Sequence, residues 1–464
     1  MGESCLDVPS QDIDSVNRWQ RFLLISMLIV LLVDMVPGMG LGIVRGLSAK
    51  NLYLYALVIA IAIKAVTRPS GLKFTDLDVH IPFLLLIAYA ILTVAILSIS
   101  TPTYKTVQGV MTLKNQLVDL YLFMFIFRYG LESRSDFMWM LRFTFTVMCW
   151  LSVITVIDFL NIPDLGIVGT YKGRIEGPFG GANEYGALLA FLIPISIALI
   201  PRDSGVAKRW FWYCSIFIMS VLLIATGSRG AYVATIFGSL IGVLYLRKSL
   251  DMRTVFKYSG IAFVLILVLV IAFAAFNFDF LMERFEKSTS GSIEQVSSGR
   301  LAIWGATLGV MAEWPFSFIV GYGWNSYDSA GIWKAAHNEY LDRYFELGLP
   351  GLFLYAWVIY AVIVRAKKFI RNCVDQVEQS MMIAYIFSML MIAVSIFFVA
   401  LPDPWTIIWV VTGLLMGVQA TSAEATTPVT KDQRREMRGQ PTMNFGGARI
   451  GPRGSPVQKS GPGI

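Results

Sequence analysis

The sequence predicts an all-α fold, a polytopic membrane helix bundle of about twelve transmembrane helices with one long hydrophilic loop facing away from the cytoplasm. Three observations lead there. Hydrophobic residues fill 56% of the 464 positions and charged residues only 15%, a balance that a water-soluble core does not need. Apolar runs at 81–99, 137–160 and 261–278 reach the roughly 20 residues that cross a bilayer as helix. Lys and Arg, in excess by a formal charge of +7, gather in alternate loops, as orientation in a membrane requires. A soluble multidomain protein is excluded by the same facts, and nothing in the charge pattern points to nucleic acid.

Taken in order, residues 1–21 carry Glu3, Asp7, Asp12 and Asp14 and lack the basic start and small-residue cleavage site of a signal peptide. They are expected to stay uncleaved as a cytoplasmic segment. Helices are then predicted at 22–36, 52–66, 81–99, 113–127, 137–160, 185–200, 211–225, 232–246, 258–278, 344–364, 381–399 and 404–418, which together make a membrane domain over 22–418. With the N-terminus inside, each inner segment is basic: Arg18 and Arg21, Arg68 and Lys73, Arg128 and Arg134, Arg202 with Lys208 and Arg209, Arg247 through Lys257, and Arg365 through Arg371. The outer loop at 402–404 has no cation, and both ends are placed inside. From 419 to 464 the chain turns to Ser, Thr, Pro, Gly and scattered charge, so a disordered cytoplasmic tail is expected.

The loop that departs from the short connections is 279–343, on the outer side. Within it Leu301, Trp304, Leu308 and Met311 recur at helical spacing before Pro315. That spacing predicts a short amphipathic helix whose apolar stripe serves the membrane surface, the bundle, or both. The four cysteines, Cys5, Cys149, Cys214 and Cys373, fall in helices or on the inner side, which implies no disulfide framework. The two histidines, His80 and His337, form no Cys/His cluster at metal-ligand spacing. No metal site and no cofactor are expected.

Chemistry-bearing residues collect in the outer turns. Arg229 lies in Thr226-Gly227-Ser228-Arg229-Gly230, a tight outer turn. A cation there can snorkel to headgroups, but the positive-inside bias would place it on the other side, so an anionic partner is the more economical reason. Arg300 follows Ser297-Ser298-Gly299 and by itself reads equally as an exposed loop cation. His337, in Ala336-His337-Asn338-Glu339-Tyr340-Leu341, is the one histidine on the outer side. Its imidazole titrates near neutral pH and suits a proton acceptor, although a lone histidine is as readily structural. The turn from Arg174 to Tyr185 has Gly177, Gly180 and Gly181 to let backbone N–H groups approach a ligand, and Asn183 to cap the sixth helix.

The order of these pieces resembles a family. An Asn-led sixth helix, a Ser-Arg-Gly turn, Ser-Gly-Arg followed by Trp304, the turn Gly321-Tyr322-Gly323, then His337 through Leu341 and Glu346-Leu347-Gly348 look like the O-antigen ligase and polymerase superfamily, over roughly 174–354. The pattern departs at one point, where Ala182 stands before Asn183 and members often have Pro. The resemblance implies a C-type glycosyltransferase fold in the bacterial inner membrane, moving a glycan from undecaprenyl diphosphate to an acceptor hydroxyl on the periplasmic side. Arg229 and Arg300 match the positions that bind the diphosphate, and His337 matches the position that takes the acceptor proton during inverting attack. Arg174, Asn183 and Asn338 are secondary candidates. The partners implied are the lipid-linked glycan donor, a lipid A-core or growing-glycan acceptor, membrane lipids and other polysaccharide-assembly proteins.

Ligase and repeat-unit polymerase both fit the pattern. A lipid-linked glycan transporter would share the helix count, but transporters place ionisable groups near the bilayer midplane and show repeated halves. Here Asp119 is the clearest ionic residue inside a predicted span, and no internal repeat is evident.

Overall fold

The computed structural model describes residues 10–35, 42–44, 47–67, 76–160, 169–171, 174–178, 181–201, 205–250, 299–332 and 335–426. Its elements are α1 (Ser10–Met35), α2 (Ala49–Thr67), α3 (Leu77–Ser100), α4 (Thr106–Leu113), a π segment (Lys114–Val118), α5 (Asp119–Tyr129), α6 (Arg134–Phe159), α7 (Ala182–Ala198), α8 (Val206–Ala225), α9 (Arg229–Leu246), α10 (Arg300–Glu313), α11 (Ser317–Val320), α12 (Glu339–Asn372), α13 (Gln376–Ser395) and α14 (Pro404–Thr426). Among the described residues strands are confined to two antiparallel hairpins, β1 (Gly42–Val44) with β2 (Leu47–Ser48), and β3 (Gly169–Tyr171) with β4 (Arg174–Gly177). Among the described residues nine helices are long and apolar enough to cross a membrane, and the protein is an all-α multi-pass membrane protein. Every predicted span falls on a described helix except 258–278, which lies outside the described residues together with 279–298 and the tail from 427 onward.

Several helices begin where a short polar side chain caps them. Ser133 accepts from Asp136 N at the start of α6, Ser228 from Ala231 N at α9, and Asp375 from Val377 and Glu378 N at α13, each satisfying donors that a first turn leaves open. Packing then relies on close approach. Between lipid-facing helices there is little hydrophobic drive, and small residues let backbones meet. On α9, Gly238 and Gly242 sit against α13: a Cβ on the first would lie 2.6 Å from Met391 Cα, and on the second 2.6 Å from the Phe387 ring. In α14, Gly413 leaves room for the Met124 carbonyl of α5, and Gly417 for the Phe137 ring of α6. Large side chains such as Phe83, Phe137, Phe191 and Tyr385 fill the interior, while Ile59, Ile63, Leu92 and Leu240 point outward, as lipid contact demands.

Three of the six basic segments assigned to one side by sequence meet at one end. Arg21 pairs with Asp136, Arg134 with Asp375 and Glu378, and Asp76 is shared by Arg128 and Arg365. The opposite end carries residues 299–338, and it is here that the structure corrects the sequence reading. The long loop ends at 338 rather than 343, because Asn338 caps α12 by accepting from Leu341 N at 3.2 Å, and the helix starts at Glu339. The amphipathic helix exists as α10 and stops before Pro315 as expected, but its packed face is Ile303, Thr307 and Met311. Of the predicted stripe, Leu301 and Leu308 are exposed.

The chain fastens this end to the bundle at a break in α12. Pro350 has no N–H to give to the carbonyl of Glu346, four residues back, and Gly348 leaves the helix with φ 62° and ψ −162°. Gly323 N donates to the freed Glu346 carbonyl at 2.6 Å and Tyr322 N to Phe345 O at 2.8 Å. The approach tolerates no side chain: a Cβ on Gly348 would stand 2.1 Å from Ile319 O, and one on Gly321 2.4 Å from Glu346 O. Two sequence pieces noted for their order, Gly321-Tyr322-Gly323 and Glu346-Leu347-Gly348, are thus the two halves of one contact.

Candidate functional site

Five segments bring the sequence candidates to this same end. The turn between α8 and α9 presents Arg229 as the first residue of α9, after Ser228 has capped it. Arg174, in β4, braces that turn from the side: its Nε donates to Thr226 O at 2.8 Å and its Nη2 to Asn183 Oδ1 at 2.6 Å. Asn183 therefore does not cap the sixth predicted helix. Gly181, in extended conformation, holds the cap position of α7, and Asn183, the second residue of the helix, has its Oδ1 engaged by Arg174. Gly230 lets the start of α9 press against the segment after α13, where a Cβ would come 2.8 Å from Phe398 Cβ.

Arg300 opens α10 as Arg229 opens α9, so both guanidinium groups sit at helix N-termini, where the macrodipole favours anions over cations. Arg300 is half-buried, and burial together with the charge of Arg229 pushes its pKa below the usual guanidinium range. Two cations that feel each other in a partly desolvated place form a site electrostatically suited to an anion.

One turn along α10, Trp304 Nε1 donates to the Ala336 carbonyl at 2.9 Å, and its ring meets Phe397 edge to face at 5.6 Å between centroids. The residue after Ala336 is His337, half-buried and held at φ 53°. A left-handed backbone at a non-glycine residue costs on the order of 1–3 kcal/mol and persists only where its neighbours fix it. Here they do. Ala336 N donates to Asp342 Oδ1 at 2.9 Å, Asn338 caps α12, and Glu339 N donates to Ile396 O at 2.9 Å. Asn338, a secondary candidate, is thus 4% exposed and engaged as a cap.

The first turns of α12 also hold residues that the sequence reading passed over. Glu339, Asp342, Arg343 and Glu346 are all buried. Glu339 accepts from Tyr355 OH, Trp405 Nε1 and Leu401 N; Asp342 from Tyr327 OH at 2.8 Å; and Glu346 accepts from Asn325 N at 3.0 Å and from Arg343 Nη1 at 2.6 Å. Arg343 stacks over Trp324 with its Cζ 4.2 Å from the ring centre. The signal was present as charged residues at i, i+3, i+4 and i+7, one face of a helix, but a loop boundary drawn at 343 hid the period. Asp119 is accordingly not alone as a buried ionic group. It accepts from Tyr55 OH and Lys114 Nζ, both at 2.9 Å.

Comparison with known proteins bears on this arrangement. Residues 214–356 match the family described as O-Antigen ligase. Over 187 residues the chain is 24% identical to a protein of Acinetobacter baylyi (strain ATCC 33305 / BD413 / ADP1) named ComP-specific O-oligosaccharyltransferase, an alignment covering 37% of this chain and 32% of that relative. The match therefore spans about a third of the relative's length. The family stretch contains Arg229, Arg300, His337 and Asn338, whereas Arg174 and Asn183 lie ahead of it.

Proposed function

We propose, on the premise that residues 214–356 belong to the O-antigen ligase superfamily, that this protein transfers a glycan from undecaprenyl diphosphate to an acceptor hydroxyl at the periplasmic face of the bacterial inner membrane. The observation that carries the reading is a half-buried Arg300 that lies within the influence of the Arg229 charge, at the bundle end that also holds His337. Diphosphate esters leave readily once their charge is met, and two guanidinium groups meet it with charge-assisted bonds that strengthen as charge develops. They do the electrostatic work that a divalent ion performs elsewhere, so transfer is proposed to need no metal.

The acceptor hydroxyl is the weak partner. His337 takes its proton as the new bond to the anomeric carbon forms and the bond from that carbon to the diphosphate oxygen breaks, with the electron pair leaving on the diphosphate. Attack opposite the leaving group inverts the anomeric centre. The fixed backbone at His337 supports this role, since proximity and orientation account for much of such catalysis.

The name of the Acinetobacter baylyi relative favours, as a second reading, oligosaccharide transfer to an oxygen of a protein acceptor. Glycan analysis of a deletion strain separates the readings. Long polymer left on the lipid carrier is the result expected for a ligase to lipid A-core, and an unglycosylated protein beside intact lipopolysaccharide indicates a protein acceptor. Single unpolymerised repeats indicate a polymerase, and unchanged glycans would refute transfer altogether.

A further inference from the structure

The proposed chemistry uses the arginine pair and His337 but leaves a second cavity at the same end without a task. Its volume is about 300 Å³, at the lower end of the range of small-molecule sites. Exposed Gln108, Asp328, Ala335 and Pro402 line it, together with buried side chains of α3, α5, α12 and α14.

Its position is informative. Ala335 and Glu339, which bracket His337, both line the cavity, whereas Arg229, Arg300 and Trp304 do not. Trp304 holds the Ala336 carbonyl from α10, and Asp342, a lining residue, holds the Ala336 N–H. The turn that carries His337 thus adjoins the cavity through its flanking residues, and the two arginines are not among the cavity's walls.

The cavity's chemistry narrows what it would take. Arg343 is 9% exposed and lines it, and its Nε has no hydrogen-bond partner although Nη1 and Nη2 reach Glu346 and Gln116. Gln116, the partner at 3.2 Å, lies within the π segment Lys114–Val118, a local widening that re-aims side chains and is frequent at functional sites. Rings of Tyr327, Tyr355 and Trp405 stand in the walls beside apolar side chains such as Phe83, Leu120 and Ile359. Three carboxylates of α12, on Glu339, Asp342 and Glu346, line the space with one arginine, which disfavours an anion. Rings, amide and carboxylates suit a ligand with apolar C–H faces and many hydroxyls, an uncharged sugar ring.

We propose that this cavity binds the sugar ring that presents the acceptor hydroxyl, and that Gln116 and Arg343 determine its specificity. The proposal rests on the glycosyl-transfer reading above and adds where the acceptor enters: through the cavity lined by the residues on either side of His337.

The test measures the two substrates separately. Donor is the polyprenyl-diphosphate glycan extracted from a strain lacking the protein, and acceptor is the donor-depleted membrane fraction of that strain. Gln116→Leu removes the amide from the wall, and Gln108→Trp plugs the mouth from an exposed position. Gln108→Trp is expected to abolish transfer and Gln116→Leu to raise the acceptor KM about tenfold, the loss of roughly one hydrogen bond. Equilibrium binding of donor should stay at wild type in both, and thermal unfolding in Gln108→Trp; Gln116→Leu, which takes the partner from Arg343 Nη2, should unfold at a lower temperature. Arg229→Ala, run alongside, should lose donor binding instead. Wild-type acceptor KM in both glutamine variants, with Arg229→Ala impaired, would overturn the acceptor cavity and leave the transfer reading standing. Weakened donor binding in the glutamine variants would assign the cavity to the donor and overturn it as well. Normal transfer by Arg229→Ala would count against the transfer reading itself.

Discussion

Replacing Arg300 with Met should move binding and stability in opposite directions. Burial and the neighbouring Arg229 both disfavour the charged form of Arg300. A cation whose pKa is lowered on folding costs the folded state stability wherever it is charged, which for a guanidinium is the whole physiological range. Met keeps most of the side-chain volume and removes that cost, so the unliganded variant should unfold at the same temperature as wild type or higher. With the diphosphate present the balance reverses. Charge-assisted bonds worth about 1.5–3 kcal/mol disappear, and at about 1.4 kcal/mol per decade transfer should fall roughly ten- to a hundredfold. Thermal unfolding with and without inorganic pyrophosphate reads both effects. At ten times its Kd the ligand stabilises wild type by about 1.4 kcal/mol, and a tenfold weaker variant by only about 0.4 kcal/mol. If Arg300→Met unfolded several degrees lower without ligand, the arginine would be a structural tie and the reasoning would fail. Undiminished transfer would refute it equally.

Three further outcomes are expected. His337→Ala should cut turnover by roughly 10²–10⁴-fold while donor binding holds, and His337→Gln, which cannot take a proton at neutral pH, should be nearly as impaired; substantial turnover in the Gln variant would mean positioning rather than proton transfer. Gly348→Ala should destabilise the loop end by more than the 1–2 kcal/mol of a left-handed alanine, because its Cβ would also meet Ile319 O at 2.1 Å, and a wild-type melting curve would contradict the contact with Gly321. In a variant with the four native cysteines changed to serine, Asp328→Cys should react with an impermeant thiol reagent in intact cells and Val374→Cys, 86% exposed at the other end, should not; the reverse pattern would invert the proposed orientation.

The helices were legible because lipid-crossing runs are long and nearly free of charge, and the described spans fall where apolar length placed them. What misled was charge and polarity that become buried. Glu339, Asp342 and Arg343 read as loop residues until Tyr355, Trp405, Tyr327 and Glu346 are seen to satisfy them. Thr307 lies outside the predicted stripe of α10, and its hydroxyl returns to Ile303 O at 2.8 Å, which lets it enter the core. Asn183 had the chemistry of a cap, and only the folded chain shows Arg174 occupying its oxygen. The juxtaposition of Arg300 with Arg229 follows from the order of the motifs only by resemblance, and the cavity behind His337 is assembled from segments more than 200 residues apart, such as those of Gln116 and Arg343.

The seam between Gly321–Gly323 and the break in α12 has a kinetic consequence. Tyr322 and Gly323 give their N–H groups to carbonyls of the helix itself, so those amides open only when the helix break opens, and they belong to its cooperative unit rather than to a fluctuating surface loop. Hydrogen exchange at the two positions should therefore be slow and should rise and fall with that of Phe345 and Leu347. A loop stitched in this way transmits length changes poorly: an inserted residue between Gly323 and Ala336 can bulge outward, whereas one between Gly321 and Gly323 would shift the stitch by a whole peptide and leave the Glu346 carbonyl without a donor. Homologous loops of different length would on this account vary on the Ala336 side of the seam and keep the spacing of its two glycines.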